Sequence, residues 1–252
     1  MGDGFRQMSL EECEKLFRQI GGTDDIILLR KLFRRLLRRQ PLLSYVFGQD
    51  RVYWRGRRCE SEEGFSSLSE MIYPCKASAT SGRLNDDNQP MLYAASRLVT
   101  VLNELSVREG DFIHYIGFVI KPGSSVRLGL VGEEYYAYHT GLSWLLGRVP
   151  GNSVQRELAK LGDEYCRRVV YVDAFLRNVL SDRAAEKRAY AHTRALGKEI
   201  FRTLKRIDGF FYPSTKHDVG TNLIVTPSCF DKQFKVITSS VLKVDKIRDF
   251  AM

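Results

Sequence analysis

The sequence predicts an α+β fold, and three observations carry that reading. Short β-prone runs at residues 52–54, 91–93, 112–120 and 223–226, with weaker ones at 210–212 and 234–238, are bounded by Gly, Pro, Asn and Asp. Helical periodicity fills residues 94–105, 132–146, 153–161, 169–180 and 184–205. The two kinds follow one another irregularly, without the βαβ rhythm of a doubly wound sheet. At 252 residues, 44% hydrophobic and 27% charged, the chain suffices for one large domain, or for one domain with a helical extension.

The first forty residues predict a helical hairpin. Ser9 and Glu12 have the spacing of a capping box ahead of Leu10, Leu16, Phe17 and Ile20, and Gly21-Gly22 stops that helix. Thr23 is the expected cap of the second helix, with Asp24 and Asp25 at its positive end. Leu28, Leu29, Leu32, Phe33, Leu36 and Leu37 form its apolar side, and Arg30, Lys31, Arg34, Arg35, Arg38 and Arg39 its basic side. Pro41 ends it. The expected division is an N-terminal extension over residues 1–45 and a main domain over 46–252.

The basic helix contributes much of a formal charge of +9. Such a field attracts polyanions in general: nucleic acid, an acidic protein or a pyrophosphate. The plain reading is a docked amphipathic helix whose basic face is simply solvated; an acidic partner ranks next, and nucleic acid last, because no aromatics interleave with the basic face as stacking on single strands requires. Five scattered cysteines, never in a CxxC pair, favour reduced thiols over a disulfide framework or a zinc site. No run approaches the ~20 apolar residues that cross a bilayer. The N-terminus lacks the apolar core of a signal peptide, which places the expected location in the cytoplasm.

Several residues have chemistry that needs explaining. Arg55 follows the apolar-aromatic run Val52-Tyr53-Trp54, where a charge is costly unless it is paired or faces a pocket. Arg83 sits behind Gly82 in a turn that suits an anion. Glu104 follows Tyr93 by eleven residues, about three helical turns, on a segment whose ordinary reading pairs it with Arg97 or Arg108. Ser214 lies in Tyr212-Pro213-Ser214 with no GxSxG elbow, and His217 is too near in sequence to serve it as a triad base. The HExxH, P-loop and GxGxxG patterns are absent.

Taken in order, Trp54-Arg55-Gly56-Arg57, Gly82-Arg83-Leu84-Asn85, Leu92-Tyr93-Ala94-Ala95 with Glu104, the run DGFFYPS ending at Ser214, and Asn222 beyond Gly220 resemble the RES domain family. The resemblance implies an ADP-ribosyltransferase-like fold, a split and curved sheet around an NAD cleft. It implies an enzyme that cleaves the nicotinamide–ribose bond and depletes NAD, with NAD as substrate and no metal or other cofactor. Glu104 would stabilise the oxocarbenium-like state. Arg55, with Arg57 as fallback, and Arg83 would hold the pyrophosphate. Tyr93 would shape the nicotinamide side, Ser214 would position the ribose or a phosphate, and Asn222 joins the binding set. A toxin role, with a helix-turn-helix antitoxin as partner, is implied too. Transfer of ADP-ribose to a cellular protein remains open beside this reading. So do a non-enzymatic role for the basic helix, and a homo-oligomer.

Overall fold

The computed structural model describes residues 8–38, 40–49, 51–204 and 206–247, so Arg39 of the basic run lies outside the described residues. Helices α1 (Leu10–Gly21) and α2 (Ile26–Leu37) lead into strands β1 (Leu43–Phe47) and β2 (Tyr53–Cys59). A short helix α3 (Leu68–Met71), strand β3 (Leu92–Ala95), helix α4 (Leu98–Leu105) and strands β4 (Phe112–Ile120) and β5 (Val126–Leu130) follow. Helices α5 (Glu133–Thr140), α6 (Arg148–Ala159), α7 (Asp163–Leu180) and α8 (Ala191–Thr203) come next. Strands β6 (Gly209–Pro213) and β7 (Thr221–Val225), helix α9 (Pro227–Gln233) and strand β8 (Phe234–Lys243) complete the described chain. This is the α+β fold with an N-terminal helical hairpin that the sequence predicts.

Two compact units divide it. The first gathers α1 and α2, the turn Gly82–Asp86 and helices α5 to α8. Residues 1–45 therefore do not form a compact unit of their own: α2 packs on α8 and α1 on α7 within the first unit. Leu29, Phe33, Leu36 and Leu37 are the buried face of α2, whereas Leu28 is 41% exposed. The buried face thus follows the expected stripe except at its first position, Leu28, and α8 packs against this helix. Phe17 stacks on Phe175 with centroids 3.8 Å apart. The Ser9/Glu12 capping box is present. Asp25, not Thr23, caps α2: its carboxylate accepts from the Ile27 and Leu28 amides, and the Thr23 hydroxyl accepts from the Asp25 amide.

The second unit holds the sheet, save Leu43 and the last two residues of β5, with α3, α4 and α9. Strand order is β1-β5-β6-β7-β3-β2-β4-β8. Pairs β6–β7, β7–β3, β3–β2, β2–β4 and β4–β8 are antiparallel. Every residue of β6 and β7 is buried. Tyr53, Phe118, Phe211, Phe230 and Phe234 form an aromatic core around β2 and β4. Strands β1 and β5 carry mixed polar and apolar residues, which is why periodicity alone missed them. Gly56 lets α4 lie close on β2: a Cβ there would stand 2.8 Å from Val101 Cγ1 and 3.4 Å from Leu105 Cδ1. That close approach fixes the depth of the helix bearing Glu104.

Candidate active site

Across four adjacent strands, pairing sets Tyr212 opposite Asn222, Asn222 opposite Ala95, and Ala95 opposite Trp54. Residues so paired share one face of a sheet. Two large rings flank the two smaller side chains of Asn222 and Ala95 in this row, and all four line a cleft of about 200 Å³. Arg55, Gly56, Tyr93, Glu104 and Leu105 also line it.

Glu104 enters from α4, and its carboxylate is held at one oxygen. Ser214 Oγ donates to Oε1 at 2.5 Å, Asn222 Nδ2 at 2.6 Å and the Thr215 amide at 3.3 Å. Oε2 accepts no hydrogen bond among the described residues. Neither Arg97 nor Arg108 pairs with Glu104, so the ordinary surface reading of this residue does not hold. Three donors converging on one carboxylate oxygen orient the group. The other oxygen is left as a fixed negative edge.

Ser214 is itself fixed from behind. Its Oγ accepts from the Lys216 and His217 amides at 3.2 and 3.0 Å, and its own amide donates to Gly220 O. The loop closes because Gly220 leaves room for His217, whose Nδ1 would lie 2.7 Å from a Cβ there. The His217 ring shares a hydrogen bond with Thr100 Oγ1 at 2.9 Å. It does not face Ser214 Oγ, so no Ser-His pair exists to make a nucleophile.

Arg55 supplies the opposite charge. Strands β2 and β3 register at Trp54↔Ala95 alone among the described residues, and the Arg55 guanidinium bonds just beyond that point. Its Nε donates to Met71 O and its Nη1 to Tyr93 O, each at 2.8 Å. No carboxylate pairs with it among the described residues. Burial, with Arg57 close by, pulls its pKa down to about 10. A guanidinium that remains charged at neutral pH, partly desolvated and without a counter-charge, is a costly group that an anion relieves. Arg57 is exposed; it donates to Glu70 O and stacks over Phe65 at 4.5 Å. Of the two arginines, Arg55 is the one that lines the cleft.

Arg83 stands apart from this set. It belongs to the first unit, where its guanidinium donates to Leu180 O and Asp182 O at the end of α7 and lies over Tyr190. Those bonds cap a helix C-terminus. Of the expected residues, the structure brings Arg55, Tyr93, Glu104, Ser214 and Asn222 together, whereas Arg83 does not line this cleft. Sequence reading did not assign Tyr212 or the Thr215 amide to the site. Tyr212 lay inside the DGFFYPS run, and only the β6–β7 register reveals that it faces Asn222. Among the described residues, no cluster of three or more His, Cys, Asp or Glu is placed to hold a metal ion, and no helix is long and apolar enough to cross a membrane. The five cysteines form no disulfide.

Fold and site together define an α+β protein in which a carboxylate from α4 and a guanidinium from β2 line one cleft. Residues 133–245 match the RES domain, the family that the sequence resembles. The matched stretch includes Ser214 and Asn222, while Arg55, Tyr93 and Glu104 precede it. Among solved structures, the chain is similar to one in the crystal structure of the M. tuberculosis MbcT-MbcA toxin-antitoxin complex. That match has 12% identity and a TM-score of 0.41, and covers 84% of this chain and 92% of the other. No curated protein matches the chain.

Proposed function

We propose that this protein cleaves the nicotinamide–ribose bond of NAD, with water or phosphate as acceptor, and that Glu104 is its catalytic carboxylate. The observation that carries the reading is the asymmetry at Glu104: one oxygen takes three donors and the other is left open beside the cleft. Breaking the glycosidic C–N bond leaves the electron pair on the nicotinamide ring and positive charge on the ribose. The departing ring is already a cationic pyridinium, so it leaves neutral and needs no general acid. A carboxylate fixed near the anomeric carbon stabilises the developing charge with no reorganisation. Water or phosphate then adds at the ribose carbon and, for water, releases a proton.

Arg55 takes the role of anion partner, for the pyrophosphate of the same molecule. Tyr93, Tyr212 and Trp54 offer aromatic surface to the nicotinamide end. Pockets that enclose drug-sized ligands run to about 300–1,000 Å³, so a cleft of about 200 Å³ suits the nicotinamide riboside half of NAD rather than the whole dinucleotide. The serine and asparagine orient Glu104 in this reading, which gives Ser214 a supporting place behind the carboxylate instead of direct contact with ribose. The family resemblance adds a toxin role, restrained by an antitoxin protein.

The test is incubation of the purified chain with NAD, with and without inorganic phosphate, followed by product identification by mass. Free nicotinamide together with ADP-ribose, or with its 1-phosphate, is the expected outcome. Intact NAD after prolonged incubation at high enzyme concentration would sink the proposal. ADP-ribose attached to added protein in place of free product would shift it to transfer.

A further inference from the structure

On the open side of α2, Lys31, Arg34, Arg35 and Arg38 line a hollow of about 340 Å³. Arg34 is the one whose charge is already met: its Nε and Nη2 fork onto the two oxygens of Glu199, both at 2.9 Å. That carboxylate is almost wholly buried and raises the Arg34 pKa through the hydrogen bond. Lys31, Arg35 and Arg38 are exposed, and their side chains bond nothing among the described residues. Seven residues separate the first from the last, about 10 Å along a helix axis, and all three fall on the side away from Leu29, Phe33 and Leu36.

The same side changes character toward the helix start. Ile27 is 63% exposed and shares the face of Lys31, one turn earlier. Before it come Asp24, exposed and paired with Arg188 at 2.7 Å, and Asp25, exposed and capping the helix. A surface that runs from a capping carboxylate through an apolar side chain to a basic stretch is poorly matched to a uniform polyanion, because phosphates reaching its first turn would meet the Asp25 carboxylate and an isoleucine. It is well matched to a polypeptide that carries carboxylates for the arginines and an apolar side chain for Ile27. The protein's own answer to a guanidinium on this helix, Glu199 on Arg34, is a bidentate carboxylate.

We infer that the open face of α2 is a docking site for an acidic amphipathic segment of another protein, bound through Lys31, Arg35, Arg38 and Ile27. The inference rests on the first unit alone and stands or falls separately from the proposed NAD chemistry. Its partner supplies two or three Asp or Glu side chains spread over about 10 Å and one apolar residue a turn beyond them. Charge sets the encounter rate and orientation, and the isoleucine contact adds desolvated area.

The experiment uses the full chain and three fluorescent probes. The first is a synthetic helical peptide bearing Glu at positions i, i+4 and i+7 and Leu one turn further. The second is the same peptide with Gln for Glu, and the third a duplex DNA of about twenty base pairs. Anisotropy titrations are run at low and at physiological salt, on wild type, on Lys31→Glu/Arg35→Glu/Arg38→Glu and on the milder triple Gln variant. The Glu peptide is expected to bind wild type at least about tenfold tighter than the Gln peptide or than it binds the Glu variant, a difference of about 1.4 kcal/mol. Ile27→Ser should weaken it several-fold. Thermal melts of each variant establish that the fold is kept, and the Gln variant serves if charge reversal perturbs it. No binding of the Glu peptide, equal binding to the charge-reversed chain, or DNA binding tighter than the peptide would overturn the inference.

Discussion

Ser214 Oγ and Glu104 Oε1 lie 2.5 Å apart although 110 residues separate them in the chain. The serine hydroxyl has one proton, and with two backbone amides donating into its oxygen, that proton is directed to the glutamate. The bond sets which Glu104 oxygen faces outward. Glu104→Gln retains the shape but loses the charge, and NAD cleavage should fall at least about a hundredfold, the scale of one preorganised electrostatic contact. Ser214→Ala should lose less, about tenfold, because Asn222 and the Thr215 amide still hold Oε1. Steady-state turnover of both variants gives the comparison. A Ser214→Ala loss as large as that of Glu104→Gln would mean that the hydroxyl meets substrate directly.

Asn222→Asp places a second carboxylate 2.6 Å or so from Glu104 in the position of an amide donor. Like charges so close cannot both ionise easily, so the pair should hold a proton to higher pH. Activity of this variant should therefore recover as pH rises, with its acid limb displaced upward relative to wild type. A pH–rate profile reads this, and an unshifted limb would argue that catalysis does not depend on the negative charge of Glu104.

Arg55→Lys should weaken binding of an uncleavable NAD analogue by about tenfold or more. An ammonium cannot reach Met71 O and Tyr93 O and still present a fork to a phosphate. Wild-type binding should also fail as pH rises through about 10, where the native guanidinium loses its proton. Calorimetric titration of both proteins tests the pair of statements. Equal affinities would move the anion site away from Arg55.

Gly56→Ala tests whether the close approach of α4 to β2 sets the site. The new methyl would sit 2.8 Å from Val101 Cγ1, so the helix or the valine must shift. Overpacking of this kind costs about 1–3 kcal/mol, which a thermal melt should register as a lowered Tm. Turnover should fall more than stability suggests, because Glu104 rides on the displaced helix. Unchanged turnover in a destabilised variant would show that the site tolerates that displacement.

A pH effect on stability follows from the first unit. Glu133 is fully buried at the start of α5, near Asp173, and burial pushes its carboxyl up to about 7. Glu134 and Asp173, buried beside each other, are raised too. In the unfolded chain Glu133 titrates near 4.5, so between these values the folded state binds more protons than the unfolded. Stability contributed by the neutral carboxyl is whole below about 4.5 and is lost as pH rises through about 7. Glu133→Gln should therefore raise Tm by a few degrees at about pH 8 and change it little at about pH 5. Denaturation scans at both values decide it; a loss at the higher pH would show that the carboxylate is held by partners there.

By itself the sequence pointed to the fold class, the helical hairpin with its Ser9 cap, most strands, and to Arg55, Tyr93, Glu104 and Asn222, which line the cleft, with Ser214 behind the carboxylate. These are legible because they rest on local terms: periodicity, caps, turn residues, and motif order along the chain. The tertiary structure alone decided that Arg55 and not Arg57 lines the cleft, that Arg83 caps α7, and that Ser214 and Asn222 grip a single oxygen of Glu104. It also decided that α1 and α2 pack with α7 and α8 as part of a larger unit. Each of these outcomes turns on strand register or on which helix face meets a neighbour. A shift of one residue in register, or of one position around a helix, reverses them while leaving composition and local pattern unchanged.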